Sequence, residues 1–458
     1  MNFKFKKLGN IDNGNVEVGD LTVICGPNNV GKTYISYAIY GFIRYFRRLI
    51  DLQLSSETIS ELRQEGTVEI NLQFYSENIS LYIDQASKEF SSDLDDYFNT
   101  IDDFFGESQI ALELKDFKFN FEDEYKSIVQ FGKKESLIFN KEKEDIHLTV
   151  TLQTDDESKN LRVPNSILNS VISNQIAEYL FRSVLPRPFV ITSERTGISL
   201  FYKELDISKN AILEHITASE KVNPIELINV MRSRYAQPIQ DNITTIRDYD
   251  SILKRKSFIK SDQQKYKYIL DSLSNMLGGS YKSIDKQVVF VPKKERNRDK
   301  VNVPVYIASS SIKSLFLIDM YVNYLAEPNG LLIIDEPELN LHPDNQRKMA
   351  GLLASLVNSG IKILITTHSD YLIRELNNRI MLSSNFKNKN AILKEEYIDS
   401  HEILRPEQVK AYSLTGDHKI NSIEVGLYGM NMEIFDCLIE KANRLSENIF
   451  YGMENLRD

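Results

Sequence analysis

A chain of 458 residues with 42% hydrophobic content can bury a sizeable core, and its length suggests two or three structural units. A net charge of −10 and a pI near 5.4 exclude a protein that coats nucleic acid over its whole surface, while leaving room for a local basic patch. Two cysteines, Cys25 and Cys437, exclude a disulfide framework and a Cys-rich zinc site. The opening MNFKFKKLGN lacks a signal-type apolar segment, and no run of about 18 apolar residues occurs. The expectation is a soluble, cytoplasmic protein without membrane contact.

In chain order, Phe3 to Leu8 and Asn15 to Val18 predict a β-hairpin that leads to an apolar strand at Leu21 to Cys25. Ile35, Ala38, Ile39, Phe42, Ile43, Phe46 and Leu49 then share one helical face, which predicts an amphipathic helix. A second α/β block is expected from about Val303 to Asn390, so roughly 250 residues of different texture split the unit. Inside this insertion, Thr67 to Tyr75, Ile110 to Phe121 and Asp145 to Gln153 alternate like strands of one small antiparallel sheet. Glu77 to Phe105 and Ser166 to Val184 read as helices, the acidic end of the first as a solvated face. Asn223 to Met276 is helical and charge-mixed, as an antiparallel arm is. The expected division is 1–50 with 300–400 for the split α/β unit, 51–185 for a β-rich and helical insertion, 186–299 for a helical arm with a basic hairpin, and 401–458 for a C-terminal α/β tail.

Three stretches carry chemistry. Gly26-Pro-Asn-Asn-Val-Gly-Lys-Thr33 matches G-x4-G-K-[ST] between an apolar strand and an amphipathic helix, the context that pattern requires. Its glycines let backbone N–H groups face phosphate oxygens, and the helix N-terminus adds positive dipole. Lys32 can reach the β- and γ-phosphates of ATP, and the Thr33 hydroxyl can ligate Mg²⁺. The residues expected around the nucleotide are Gly26, Pro27, Asn28, Asn29, Val30, Gly31, Lys32, Thr33 and Tyr34. Gly330-Leu-Leu-Ile-Ile-Asp335-Glu336-Pro337 reads as a strand buried on both faces that ends in two acids. Asp335 would hold Mg²⁺ through water, and Glu336 would polarise the attacking water as general base. One βαβ unit later, an apolar strand at Ile361 to Thr366 ends at Thr367-His368-Ser369-Asp370, which puts His368 within reach of Glu336 and the γ-phosphate.

GPNNVGKT, LLIIDEPELNLHP and ITTHSD together resemble the Walker A, Walker B plus D-loop, and switch-histidine motifs of ABC-type ATPases in the OLD and SMC-like branch. The resemblance implies an ABC-type P-loop ATPase fold, a mixed β-sheet with flanking helices split by a long α+β and helical insertion. The family's signature motif precedes Walker B, and here that place reads Ala308-Ser309-Ser310-Ser311-Ile312-Lys313-Ser314-Leu315, with Ser311 where glycine is usual. In the family, this motif acts on the γ-phosphate held by a neighbouring protomer. Ser309, Ser310, Ser311 and Lys313 are therefore implied nucleotide contacts in trans, and the assembly implied is a head-to-tail dimer or an oligomer of dimers. A serine triplet before a helix is equally an N-cap. Ser193-Glu194-Arg195-Thr196-Gly197-Ile198 also looks like a recurrent stretch of these proteins, without an assigned role, and Gln237 is the best Q-loop candidate.

Finer similarity is to ATPase subunits of two-component anti-phage systems, the PARIS type first and the Septu type second. It implies a separately encoded nuclease effector, of TOPRIM or HNH type, and a phage-protein trigger. The 90 residues after His368 contain no Asp-x-Asp cluster, and the histidines at 147, 215, 342, 368, 401 and 418 have no metal-ligand spacing. The basic stretches Lys254-Arg-Lys256 and Lys293-Lys-Glu-Arg-Asn-Arg298 fit either DNA contact or a solvated face. A DNA-clamping repair or chromosome-type ATPase is the alternative reading.

Overall fold

The computed structural model describes residues 1–50, 52, 54–100, 103–114, 119, 121–131, 135–154, 163–201, 235–285, 287–293, 302–431, 441 and 443–451. β1 (Asn2–Leu8) and β2 (Ile11–Glu17) form the expected hairpin. β3 (Leu21–Cys25), buried throughout, runs into the phosphate-loop sequence, and α1 (Lys32–Leu49) follows. In the insertion come β4 (Thr67–Asn71), α2 (Ile79–Ser92), β5 (Gln109–Glu113), β6 (Tyr125–Phe131), β7 (Glu135–Lys141), β8 (His147–Thr154) and α3 (Asn165–Phe181). β9 (Pro188–Ile191) and α4 (Gln237–Arg247) lead to α5 (Lys267–Leu277), β10 (Gly279–Ile284), β11 (Gln287–Pro292) and β12 (Val303–Pro304). The second block holds α6 (Ser310–Met320), β13 (Leu331–Asp335), α7 (Pro343–Asn358), β14 (Lys362–Thr367) and α8 (Asp370–Met381), before β15 (Val409–Leu414) and β16 (Ile420–Ile423).

The central six-stranded sheet has the order β16-β15-β3-β14-β13-β9. All neighbours are parallel except β16, which runs antiparallel to β15 at one edge. Side-chain alternation sends Ile24, Leu331, Ile333 and Leu364 to one core and Val23, Leu332, Ile334, Ile363 and Ile365 to the other. Both faces are covered, which is why β3, β13 and β14 read as unbroken apolar runs. On the first face lie α1, the β1–β2 hairpin and residues of the insertion up to Leu185; on the second lie α5, α6, α7 and α8.

The structure corrects several expectations. The strand from Thr67 stops at Asn71, because the Asn71 side chain accepts a hydrogen bond from Gln73 N (2.9 Å) and caps the helix Leu72–Glu77. β5 pairs with β1, while β4, β8, β7 and β6 make a separate antiparallel sheet. The helix expected through Phe105 breaks at Asp93, and a short second helix ends at Asn99, which takes φ 54°. Asp93, Asp96 and Asp103 at that acidic end are exposed, as expected, while Phe98 and Phe105 are buried and the Tyr97 hydroxyl donates to Tyr37 O (2.7 Å) on α1. In the described part of the expected arm, Gln237–Arg247 packs beside β9 and α1, and Lys267–Leu277 packs against α7. Within the expected C-terminal tail, β15 pairs with β3, so Val409–Leu414 joins the central sheet beside the phosphate loop. Residues 223–234 of the expected arm and 294–300 of the expected basic hairpin lie outside the described residues.

Candidate functional site

β3, β14 and β13 are adjacent, parallel and in register, with Cys25 opposite Thr367 and Asp335 opposite Thr366. Their carboxyl ends therefore open at one place, where ligands of such sheets collect. The phosphate loop turns there through Gly26 (φ 150°), Asn29 (φ 64°) and Gly31 (φ 97°). A Cβ at Gly26 would lie 2.3 Å from Leu414 O of β15, so neither the backbone angle nor the space admits a side chain. Pro27, Asn28 and Asn29 are exposed, and Val30 is half-buried. The Lys32 ammonium, nearly buried, donates to Gly26 O (2.9 Å) and Pro27 O (2.7 Å) across the mouth of the loop. Burial lowers its pKa, against the pull of Glu336, Asp335 and Glu338.

Asp335 ends β13 with its carboxylate 1% exposed. Its Oδ2 accepts from Thr33 Oγ1 (3.0 Å), and its Oδ1 accepts from Thr366 Oγ1. Desolvation raises its pKa, and the two hydroxyls oppose that shift. A buried carboxylate beside a threonine hydroxyl at the phosphate loop is a hard-oxygen donor pair that fits Mg²⁺, which commonly takes one or two carboxylates and completes its shell with phosphate and water. Thr33 and Asp335 would hold it.

Glu336 follows in a left-handed backbone conformation (φ 52°), its N–H donating to Thr366 O (3.0 Å). Its Oε1 lies 3.0 Å from His368 Nδ1, the pairing expected from the spacing of the two motifs. His368 is partly exposed, and its N–H donates to Glu338 Oε1 (3.1 Å). Glu338 was not singled out by the sequence reading. Its carboxylate is buried, accepts from Thr367 Oγ1 (2.7 Å), and leaves Oε2 without a hydrogen-bond partner among the described residues.

Among the described residues, the serines before α6 make no hydrogen bond to the phosphate loop of the same chain. Ser309 and Ser310 are exposed, and Ser309 Oγ caps α6 by accepting from Ile312 N (3.4 Å). Ser311 Oγ donates to Asn340 O (2.7 Å) in the turn after Glu336, and Lys313 O accepts from Ser199 Oγ (3.3 Å). The Tyr34 ring meets Phe98 and Phe105 edge-on, and its Cδ2 lies 3.7 Å from where a Cβ at Gly31 of the loop would stand. Gln237 donates its side-chain amide to Asp241 Oδ1 (2.9 Å) within α4.

Arg195, from the stretch Ser193–Ile198 that carried no assigned role, is fully buried at the site. Its Nε donates to Ser314 Oγ (2.9 Å), Nη1 to Thr192 O (3.1 Å) and Asp335 O (2.8 Å), and Nη2 to Glu336 O (2.6 Å). Beside it, Glu194 Oε2 accepts from the Tyr37 hydroxyl (3.2 Å) of α1. Among the described residues no cluster of three His, Cys, Asp or Glu forms a separate metal site, and no helix is long and apolar enough to cross a membrane.

Solved structures similar to the chain include the Smc head domain with an extended coiled coil bound to the C-terminal domain of ScpA, from Pyrococcus furiosus, at 14% identity, TM-score 0.31, and 98% coverage of both chains. A second is the SmcHead bound to the C-winged helix domain of ScpA, at 11% identity, TM-score 0.33, covering 92% of this chain and 96% of that one. A third is the SMC head domain from Thermotoga maritima, at 9% identity, TM-score 0.28, covering 93% and 98%. At such scores these likenesses are distant. A comparison with curated proteins returned no match. The family model described as an AAA ATPase domain matches residues 2–373, which take in the phosphate loop, Asp335, Glu336 and His368, and the chain belongs to that family.

Proposed function

We propose that this chain binds ATP with Mg²⁺ and hydrolyses it, Glu336 acting as general base and His368 fixing that carboxylate against the γ-phosphate. The carrying observation is the joining of three motifs at one sheet end, with Thr33 3.0 Å from Asp335 and Glu336 3.0 Å from His368. Bound Mg²⁺ would supply charge neutralisation on the β- and γ-phosphate oxygens. Lys32 would leave its two carbonyls for phosphate oxygens, and the loop N–H groups would bind the remainder. His368 holds Glu336 so that its carboxylate can accept the proton of an attacking water.

Each site takes its γ-phosphate contacts from Ser309, Ser310, Ser311 and Lys313 of a second copy, in a head-to-tail dimer. The exposed Ser309 and Ser310, with exposed Tyr306 and Ile307 beside them, support that reading, because they leave an apolar and hydroxyl-bearing surface for a partner. The nucleotide state then holds or releases a separately encoded nuclease effector in anti-phage defence, and a phage protein serves as trigger.

Two measurements test the proposal. Glu336→Gln should retain ATP and accumulate as an ATP-bound dimer, since an amide cannot take the proton of water; hydrolysis at the wild-type rate would remove Glu336 as the base. The chain purified with the product of its neighbouring gene should bring down a nuclease. ATP-dependent, salt-sensitive DNA binding without an effector would favour the DNA-clamping alternative, for which the exposed Lys254-Arg-Lys256 is a candidate basic surface.

A further inference from the structure

A guanidinium removed from water is costly unless its surroundings replace hydration and supply counter-charge. Arg195 has both: four hydrogen bonds, and the nearby charges of Asp335, Glu338 and Glu336. Its partners are what give it functional meaning. Two are the main-chain carbonyls of the acids that end β13, and a third is Ser314 on α6, the helix that begins at Ser310. Ser314 Oγ passes the connection on by donating to Leu339 O (2.9 Å), in the turn beyond Glu336. Thr196 Oγ1 accepts from Asn340 Nδ2 (3.0 Å), and Ser311 Oγ donates to Asn340 O. Residues 192–199 thus bind the acid-bearing turn to the serine-bearing helix at several points.

That turn needs holding. Glu336 at φ 52° and Asn340 at φ 60° occupy left-handed backbone, uncommon for residues with a side chain and sustained only where neighbours fix it. Arg195 bonds Asp335 O and Glu336 O, the carbonyls of the two peptides that flank the Glu336 Cα, and so braces the backbone from which the Glu336 side chain leaves.

We propose that Arg195 is a positioning residue for Glu336 and that its fork, rather than its charge alone, sets the rate of hydrolysis. The inference rests on the ATPase reading above. It extends that reading to a fully buried residue whose hydrogen bonds go to Ser314 and to main-chain carbonyls.

The test compares wild type with Arg195→Lys and Ser314→Ala for ATP affinity by calorimetry, kcat, and thermal unfolding. Lysine keeps the buried cation but cannot span Asp335 O, Glu336 O and Ser314 at once. The expected result is ATP affinity within about threefold of wild type and kcat lower by about 10–100-fold, the size typical of lost supporting contacts behind an active group. Ser314→Ala, which opens one arm of the network with little loss of volume, should show the same split on a smaller scale. A purely structural arginine would lower unfolding temperature and move affinity and kcat together, and that result overturns the proposal. So does a wild-type kcat in Arg195→Lys. If Arg195→Lys does not fold, Ser314→Ala decides: a kcat within twofold of wild type overturns the inference, and a selective fall in kcat sustains it. A wild-type chain without ATPase activity would overturn the parent reading, an outcome distinct from active wild type with unaffected variants.

Discussion

Lys32 shows how one side chain can be committed to a ligand by its surroundings. Its ammonium is nearly buried, sits between two carbonyls of its own loop, and is drawn by three carboxylates. Burial disfavours the charged form, so a phosphate chain entering the loop would gain a cation already partly stripped of water. Lys32→Ala should therefore abolish ATP binding. Calorimetry checks it, and affinity within about twofold of wild type would contradict the role given to the loop. At this scale, residues whose chemistry demands a particular side chain were legible. Gly26, Lys32, Thr33, Asp335, Glu336 and His368 announced themselves by type and spacing, and the structure gathers them. Arg195 did not, because it acts on main-chain carbonyls, and those leave no trace in the identity of their own residues. For Tyr34, adjacency to Thr33 in sequence says nothing of the edge-on contacts its ring makes with Phe98 and Phe105.

Among the elements, α6 carries an unexpected cost. Leu315 to Met320 are buried on every side, so Asp319 lies inside the core with Asn323 Nδ2 3.0 Å from its Oδ1 and Lys260 as the nearest counter-charge. Desolvation pushes its pKa up from 3.8 to about 7. Between those values, the folded chain holds a proton that the unfolded chain releases. The stabilising contribution is full below the unfolded value and is lost as pH rises through about 7. Asp319→Asn should remove that dependence and raise the unfolding temperature more at about pH 8 than at about pH 5.5. Equal shifts at both values would show that the carboxyl does not titrate there. Whether an element was legible depended on how completely one period described it. α1, β3, β13 and β14 were clear, being uniform stripes or unbroken apolar runs. β15 (Val-Lys-Ala-Tyr-Ser-Leu) was not, because it buries polar residues: Ser413 is buried, and the Tyr412 hydroxyl accepts from Glu17 N (2.8 Å). Its place beside β3 depends on a partner almost 400 positions away, beyond the reach of a local window.

At the scale of the whole molecule, the proposed function asks each phosphate loop to meet the serines of another chain. Among the described residues, no hydrogen bond joins Ser309 or Ser310 to residues 26–33. A second copy would bring the missing half. Replacing Ser310, an exposed first-turn residue of α6, with Arg would set a bulky side chain where the opposing γ-phosphate must approach. Ser310→Arg should thus lose hydrolysis while its own loop still binds ATP. Lys32→Ala should lose hydrolysis for the opposite reason, with its serines intact. Mixed together, the two inactive chains should recover part of the wild-type rate, because a mixed dimer pairs the loop of the Ser310 variant with the serines of the Lys32 variant. Recovery requires exchange of subunits, which differently tagged wild-type chains must show first. If subunits exchange and the mixture stays inactive, the site is not shared between chains. The serines then serve only as the helix cap that Ser309 already forms.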